Sequence, residues 1–242
     1  MTVIATRSSA PADQCVPGTF HAEAELANPV RSWLHAQRNV LAVIDEVDAG
    51  NGIADLVAGL SPNRILPIRT AVADPLQLRV LELTQQATSE SKLRSWAPHG
   101  WRGLRQRAIQ PLIEGGMLTV SREEDPTYRA TVEASDPFTE LIAVELKLRD
   151  WRRGIAQAGR YRLFAECSYL AMPYERITEA ATDQARRNRI GVLGVSQDGG
   201  ITVVLRAPSS SPLQPQRRRW AAEQMLAALR SPSRRSAGSP IR

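Results

Sequence analysis

The 242-residue chain predicts an α/β fold, a mixed central sheet flanked by helices, with a second, smaller domain inserted between two of its strands. Three observations carry this expectation. Before Arg38 apolar residues recur at helical spacing, and short apolar blocks separated by turn residues follow, giving helix, strand, turn, strand. After residue 136 the pattern resumes as strand, helix, strand, helix. The stretch between reads as three helices followed by a hairpin. An apolar fraction of 43% is enough for a real core, and the length suits one large domain or two small ones.

Residues 1–19 are rich in Ser, Ala, Pro and Thr and are expected to be disordered. Leu26, Val30, Trp33 and Leu34 mark a helix between Phe20 and about Arg38, with Pro29 expected to kink or restart it. Val40–Ile44 and Ile53–Ala58 are strands, and the intervening Asp48-Ala49-Gly50-Asn51-Gly52 has the composition of a tight turn, so the two form a hairpin. Leu60–Ala73 is a Pro-containing connection. Leu76, Val80, Leu81 and Leu83 predict a first helix after Asp74-Pro75, residues 89–96 a second, and residues 101–114 a third in which Pro111 sits awkwardly. Gly115-Gly116 ends the third helix, and Met117–Val120 pairs with Tyr128–Val132 across the polar loop 121–127.

The strand ending in Glu145-Leu146-Lys147 comes next. It is followed by a helix from Asp150 to about Arg162, a buried strand from Cys167 to Met172, and a helix from Tyr174 to Asn188. A second hairpin pairs 192–195 with 201–205, and an amphipathic helix spans Gln216–Leu229. The expected organisation is therefore 1–19 as a disordered terminus, 20–60 plus 136–207 as the core, and 61–135 as the insert. Residues 208–230 form a linker and helix, and 231–242 a basic Ser/Pro tail.

A net charge of +6 and a sequence pI near 10.0, carried far more by Arg than by Lys, fit a nucleic-acid partner but also a basic enzyme. Cys15 and Cys167 lie far apart and read as reduced thiols. His21, His35 and His99 have no metal-ligand spacing, and no zinc pattern or Gly-rich phosphate loop is present. No apolar run approaches membrane-spanning length and the N-terminus lacks a signal pattern, so the expected location is cytoplasmic.

Glu145 and Lys147 carry the most information. Separated by one residue on a strand, they point to the same side of the sheet, where opposite charges are costly unless paired or bound to a ligand. Taken alone, the pair reads as a salt-bridged strand end. Asp55 reads as a hairpin cap, Glu23 as a solvated helix charge and Tyr161 as a core residue. Asp136 competes as the strand carboxylate but precedes Pro137 in a turn-like context, and Glu140 reads as a solvated strand end.

Together, "HAEAEL" on the first helix, "GIADLVAG" on the second strand, "IAVELK" on the third and "QAGRY" on the following helix resemble the PD-(D/E)XK nuclease superfamily, the restriction-endonuclease-like fold. The resemblance covers residues 20–60 and 138–207. It departs from the family pattern in having Ala54 before the strand Asp, and in the long gap from Asp55 to Glu145, which the insert explains. It implies a deoxyribonuclease in which Asp55, Glu145 and the Leu146 carbonyl hold Mg²⁺ or Mn²⁺, and Lys147 orients or deprotonates the attacking water and neutralises phosphate. Mg²⁺ suits such a site because it takes few protein carboxylates and keeps several waters. Glu23, with Glu25 as its rival, matches the family's extra acidic residue. Gln157 and Tyr161, four apart on one helix face, resemble the Q-x-x-x-Y element of RecB-like nucleases.

The insert resembles a winged helix-turn-helix, with "LIEGGMLTV" at the junction of helix and hairpin. Lys92, Arg94, Arg102, Arg105, Arg107 and Arg122 are its candidate DNA contacts, since Arg matches phosphates and guanine edges. Trp96 and Trp101 are read as packing residues. Arg217-Arg218-Arg219 and Arg234-Arg235 would add non-specific phosphate attraction. A non-catalytic DNA-binding regulator or defence-system sensor on the same fold, a partner protein recruited by the insert, and a homodimer stay open.

Overall fold

The computed structural model describes residues 20–231 except 51, 64 and 99. The expectations for the N-terminal segment, Cys15 and Arg234-Arg235 concern residues outside these. The protein is a mixed α/β structure. It contains α1 (Ala24–His35), β1 (Val40–Asp48), β2 (Ile53–Leu60), α2 (Pro75–Leu83), β3 (Thr88–Ser89), α3 (Glu90–Trp96) and α4 (Gly100–Leu104). A π-helical turn, Arg105–Ile109, leads into α5 (Gln110–Glu114), β4 (Leu118–Val120), β5 (Thr127–Ala130) and β6 (Glu140–Leu146). The chain continues through α6 (Trp151–Tyr161), β7 (Cys167–Pro173), α7 (Glu179–Arg187), β8 (Gly191–Val195), β9 (Ile201–Leu205) and α8 (Pro215–Arg230). Among the described residues no helix is long and apolar enough to cross a membrane.

Six strands form one sheet in the order β1-β2-β6-β7-β8-β9. β2 runs antiparallel to both β1 and β6, while β6, β7 and β8 are mutually parallel, and β9 turns back. Both faces are covered, so alternate residues of the central strands enter two cores. Leu26, Val30 and Leu34 of α1 pack with Leu56, Ala58, Val144 and Leu146. Ile155, Ala158 and Tyr161 of α6, with Ala221, Ala222 and Met225 of α8, pack with Val57, Leu141 and Ala143 on the other face.

The segment between β2 and β6 buries its own cluster, including Val80, Leu93, Leu104, Leu112, Leu118 and Tyr128. Its three strands form a separate sheet in the order β3-β5-β4. Trp96 and Trp101 pack against this cluster, and Trp101 meets Tyr128 edge-on.

Three elements differ from the sequence expectation. α1 runs through Pro29 without restarting, because burial of Leu26, Val30 and Leu34 outweighs the single lost N–H bond. The third insert helix changes pitch over Arg105–Ile109, with the Gln110 N–H reaching the Arg105 carbonyl. Pro111 offers no N–H to the Arg107 carbonyl, and the Gln77 side chain donates to it instead at 3.1 Å. The helix expected from Tyr174 begins only at Glu179. Thr178 is extended and its hydroxyl accepts from the Ala181 N–H, so Tyr174–Arg176 is left as one 3₁₀ turn.

Candidate active site

Sheet register brings the separated sequence segments together. Leu56 pairs with Val144, so the next position on each strand sets Asp55 beside Glu145. Both side chains have the parity of Val57 and Ala143 and face α6. The Leu146 N–H donates to Asp55 Oδ2 at 2.7 Å, joining residues 91 positions apart.

Glu145 is 1% exposed, and both its oxygens are engaged. Oε1 lies 2.7 Å from Lys147 Nζ, and Oε2 accepts from the Tyr161 hydroxyl. That hydroxyl also lies 2.7 Å from the Ile53 carbonyl, so its one proton serves two acceptors. Lys147 Nζ donates to the Leu146 carbonyl at 3.0 Å and lies 3.4 Å from Glu23 Oε2. Glu23 Oε1 accepts from the Leu148 N–H at 3.4 Å, whereas Glu25 accepts from the His21 N–H and turns back on its own chain. Glu23 is therefore the acid that faces the cluster.

Three carboxylates around one ammonium leave an excess of negative charge. Burial pushes the Asp55 carboxyl up to about 6, opposed by the Leu146 N–H and reinforced by Glu145 and Glu23. Burial also works against the charged form of Lys147, but Glu145, Glu23 and Asp55 outweigh it and hold the ammonium above the usual lysine range. Burial, then Glu145, raise Tyr161.

Gln157 lies one turn before Tyr161 on α6, and its Oε1 is buried without a hydrogen-bond partner among the described residues. Gly154 faces the sheet. A Cβ there would meet Leu170 Cδ1 at 2.6 Å and Lys147 Cγ at 2.9 Å, so any larger residue would make Leu170 or Lys147 shift. The sequence reading missed Gly154, whose one signal was a glycine in the middle of a helical pattern. It also missed Arg160, whose guanidinium lies beside Gly52 at the site's edge. A further signal was available for Lys147, which with Lys92 makes up all the lysine in this arginine-dominated chain.

Among the described residues no group of three or more His, Cys, Asp or Glu side chains gathers to hold a metal. Asp55, Glu145 and the Leu146 carbonyl nevertheless form a donor set of oxygens only, with surplus negative charge. This fits a hard divalent cation that retains its waters. A cleft of about 1340 Å³ does not include this cluster. It lies between α2 and the start of α8 and reaches Ala49 and Gly50 of the β1–β2 turn.

Of the insert cations, Lys92, Arg102 and Arg105 are exposed. Arg94 is bound to Glu90 at 2.6 Å and stacks on Trp101, and Arg107 is paired with Asp74 at 3.2 Å. Arg122 stands in a loop with Glu123, Glu124 and Asp125, where the acids oppose contact with phosphate. The phosphate attraction expected of Arg217–Arg219 does not extend to all three. Arg218 is buried between Asp136 and Glu166, and Arg219 is paired with Glu223. Asp136 accordingly lies away from the Glu145 cluster, and Glu140 accepts from Cys167.

No known family model, curated protein or solved structure matches this chain.

Proposed function

We propose that this chain is a metal-dependent DNA endonuclease of the PD-(D/E)XK superfamily, with a winged-helix domain inserted between its second and third core strands. The observation that carries the reading is the meeting of Asp55 with Glu145 and Lys147 across a gap of ninety residues, fixed by the Leu146–Asp55 hydrogen bond. Topology supports it. A helix precedes three antiparallel strands, and α6 then crosses to a parallel fourth strand. The insert orders helix, strand, helix, helix, strand, strand, with its first strand pairing to its last, which supports the winged-helix reading.

Asp55, Glu145 and the Leu146 carbonyl would hold Mg²⁺ or Mn²⁺. Bound there, the ion supplies Lewis-acid stabilisation of the phosphate and a more acidic water. Lys147, whose ammonium the surrounding carboxylates favour, would neutralise charge on the phosphate and orient or deprotonate the attacking water. Tyr161 locks the Glu145 carboxylate in place, and Glu23 holds Lys147 from the α1 side. Lys92, Arg102 and Arg105 are exposed cations of the insert that would meet DNA.

Purified protein with Mg²⁺ or Mn²⁺ is expected to cut plasmid or branched DNA. Lys147→Ala is expected to lower the rate by at least about a hundredfold while leaving DNA affinity within about twofold. The engagement of both Glu145 oxygens by Lys147 and Tyr161 favours a second reading, a DNA-binding regulator or sensor that does not cut. Wild-type protein that binds DNA and leaves every form intact with either ion would establish that reading instead.

A further inference from the structure

We infer a phosphate-binding rim beside the catalytic cluster, formed by Arg160 of α6 and Arg217 of α8 on either side of the β1–β2 turn, whose ligand is the sugar–phosphate backbone of DNA. This inference deepens the nuclease proposal and rests on it for the direction of the bound strand.

The turn is built for close approach. Gly50 and Gly52 have φ of +81° and +116°, a region that side chains rarely adopt. A Cβ on Gly52 would lie 3.5 Å from Arg160 Nε, and one on Gly50 would lie 3.3 Å from Arg217 Nη1. The two guanidiniums therefore flank one short segment of backbone. Arg217 is steadied by a 3.3 Å bond to the Ala49 carbonyl. Arg160 precedes Tyr161, whose hydroxyl reaches both Ile53 and Glu145, so the same helix fixes the rim and the cluster. Arg153 lies two turns back on the flank that carries Gln157 and Arg160.

On α8, ion pairing distinguishes Arg217 from its neighbours Arg218 and Arg219. Arg153, Arg160 and Arg217 enter no ion pair among the described residues, whereas Arg94, Arg107, Arg218 and Arg219 all do. Asp48, the acid of the turn, accepts from the Gly50 N–H. Unpaired guanidiniums present forked donors that match phosphate oxygens. The rim also opens onto the large cleft, which Gly50, Arg217 and Arg79 help to line. A strand leaving the catalytic cluster would thus cross Arg160, the turn and Arg217, and continue toward the insert.

The test is anisotropy of a fluorescein-labelled DNA duplex with the full chain in EDTA, over a salt series. Arg160→Ala and Arg217→Ala are each expected to raise Kd about three- to tenfold and to reduce the salt slope by about 1. Arg160→Lys and Arg217→Lys, which keep the charge, are expected to restore most of the slope. A purely structural arginine would not show that rescue. Unchanged slopes in both alanine variants and their double variant, with melting temperatures intact, overturn the rim. So does an Arg217→Lys protein that loses stability with no change in slope. Cutting by the wild type is scored separately. Cutting with unchanged slopes removes the rim alone. Altered slopes with no cutting by the wild type leave the rim and remove the nuclease reading. A wild-type chain that does not bind the duplex removes both.

Discussion

Asp55 is half-buried beside Glu145 and Glu23, and the cost of its charge is written in its proton affinity. Its carboxyl is raised from 3.8 to about 6 in the folded protein, chiefly by burial. The folded state therefore binds the proton more tightly than the unfolded chain does. This lowers stability as pH rises from about 4 through 6, and the loss is complete above that window. Asp55→Asn is expected to stabilise the metal-free protein by roughly 1–2 kcal/mol at pH 7.5, after allowance for solvent screening, and to give no gain near pH 3.5. Urea melts at the two pH values check this, and equal effects at both would refute the electrostatic cause. The same variant is expected to lose cutting. Asp55, Glu145, Lys147 and Glu23 stood out in the sequence only through the order of their motifs, because each alone reads as a cap, a strand end or a solvated charge. Gly154 and Arg160 did not, because a helical glycine or arginine acquires meaning only once the packed face of its helix is known.

At the level of elements, local rules explain most boundaries, and their exceptions can be tested. α7 ends in a hydrogen-bonded cap in which the Ile190 N–H reaches the Ala185 carbonyl, and Arg189 occupies the left-handed position at φ +60°. Glycine is the residue that avoids strain there. Arg189→Gly is accordingly expected to stabilise the protein by about 0.5–1 kcal/mol, and Arg189→Val to destabilise it, as read by thermal melts. An Arg189→Gly protein with a lower melting temperature would show that the arginine side chain contributes more than its backbone costs. Hairpins and long helices were legible because turn composition and periodicity are local properties. The two-residue β3 was not, because its existence depends on Tyr128 and Thr127 of a distant strand. The pitch change before Pro111 likewise depends on Gln77, thirty residues away.

The whole molecule is tied together by α8, which the sequence presented as an amphipathic helix after a linker. Glu223 is 1% exposed and accepts both Nη atoms of Arg69 at 2.8 and 2.6 Å, the Val72 N–H at 2.9 Å and Arg219 at 2.8 Å. Arg69 donates in turn to the carbonyls of Thr70, Glu133 and Ser135. The chain entering the insert and the chain leaving it thus meet at one carboxylate on a helix from the end of the sequence. A partner 154 residues away leaves no local trace, so Glu223 could not be told from a solvated helix charge. Arg218 adds a second tie, from α8 to Asp136 and Glu166. Glu223→Ala strands a buried guanidinium and is expected to cost about 3–5 kcal/mol in urea melts. Replacing both partners, Arg69→Met with Glu223→Leu, removes the buried guanidinium and is expected to recover part of that loss, because the Val72 N–H, Arg219 and the carbonyls of Thr70, Glu133 and Ser135 still lose their partners. The double variant is expected to melt cooperatively while losing the fixed relation of insert to sheet, so that cutting falls more than duplex binding. Cutting and binding that fall in equal measure would mean that α8 holds the fold without coupling the insert to the catalytic cluster.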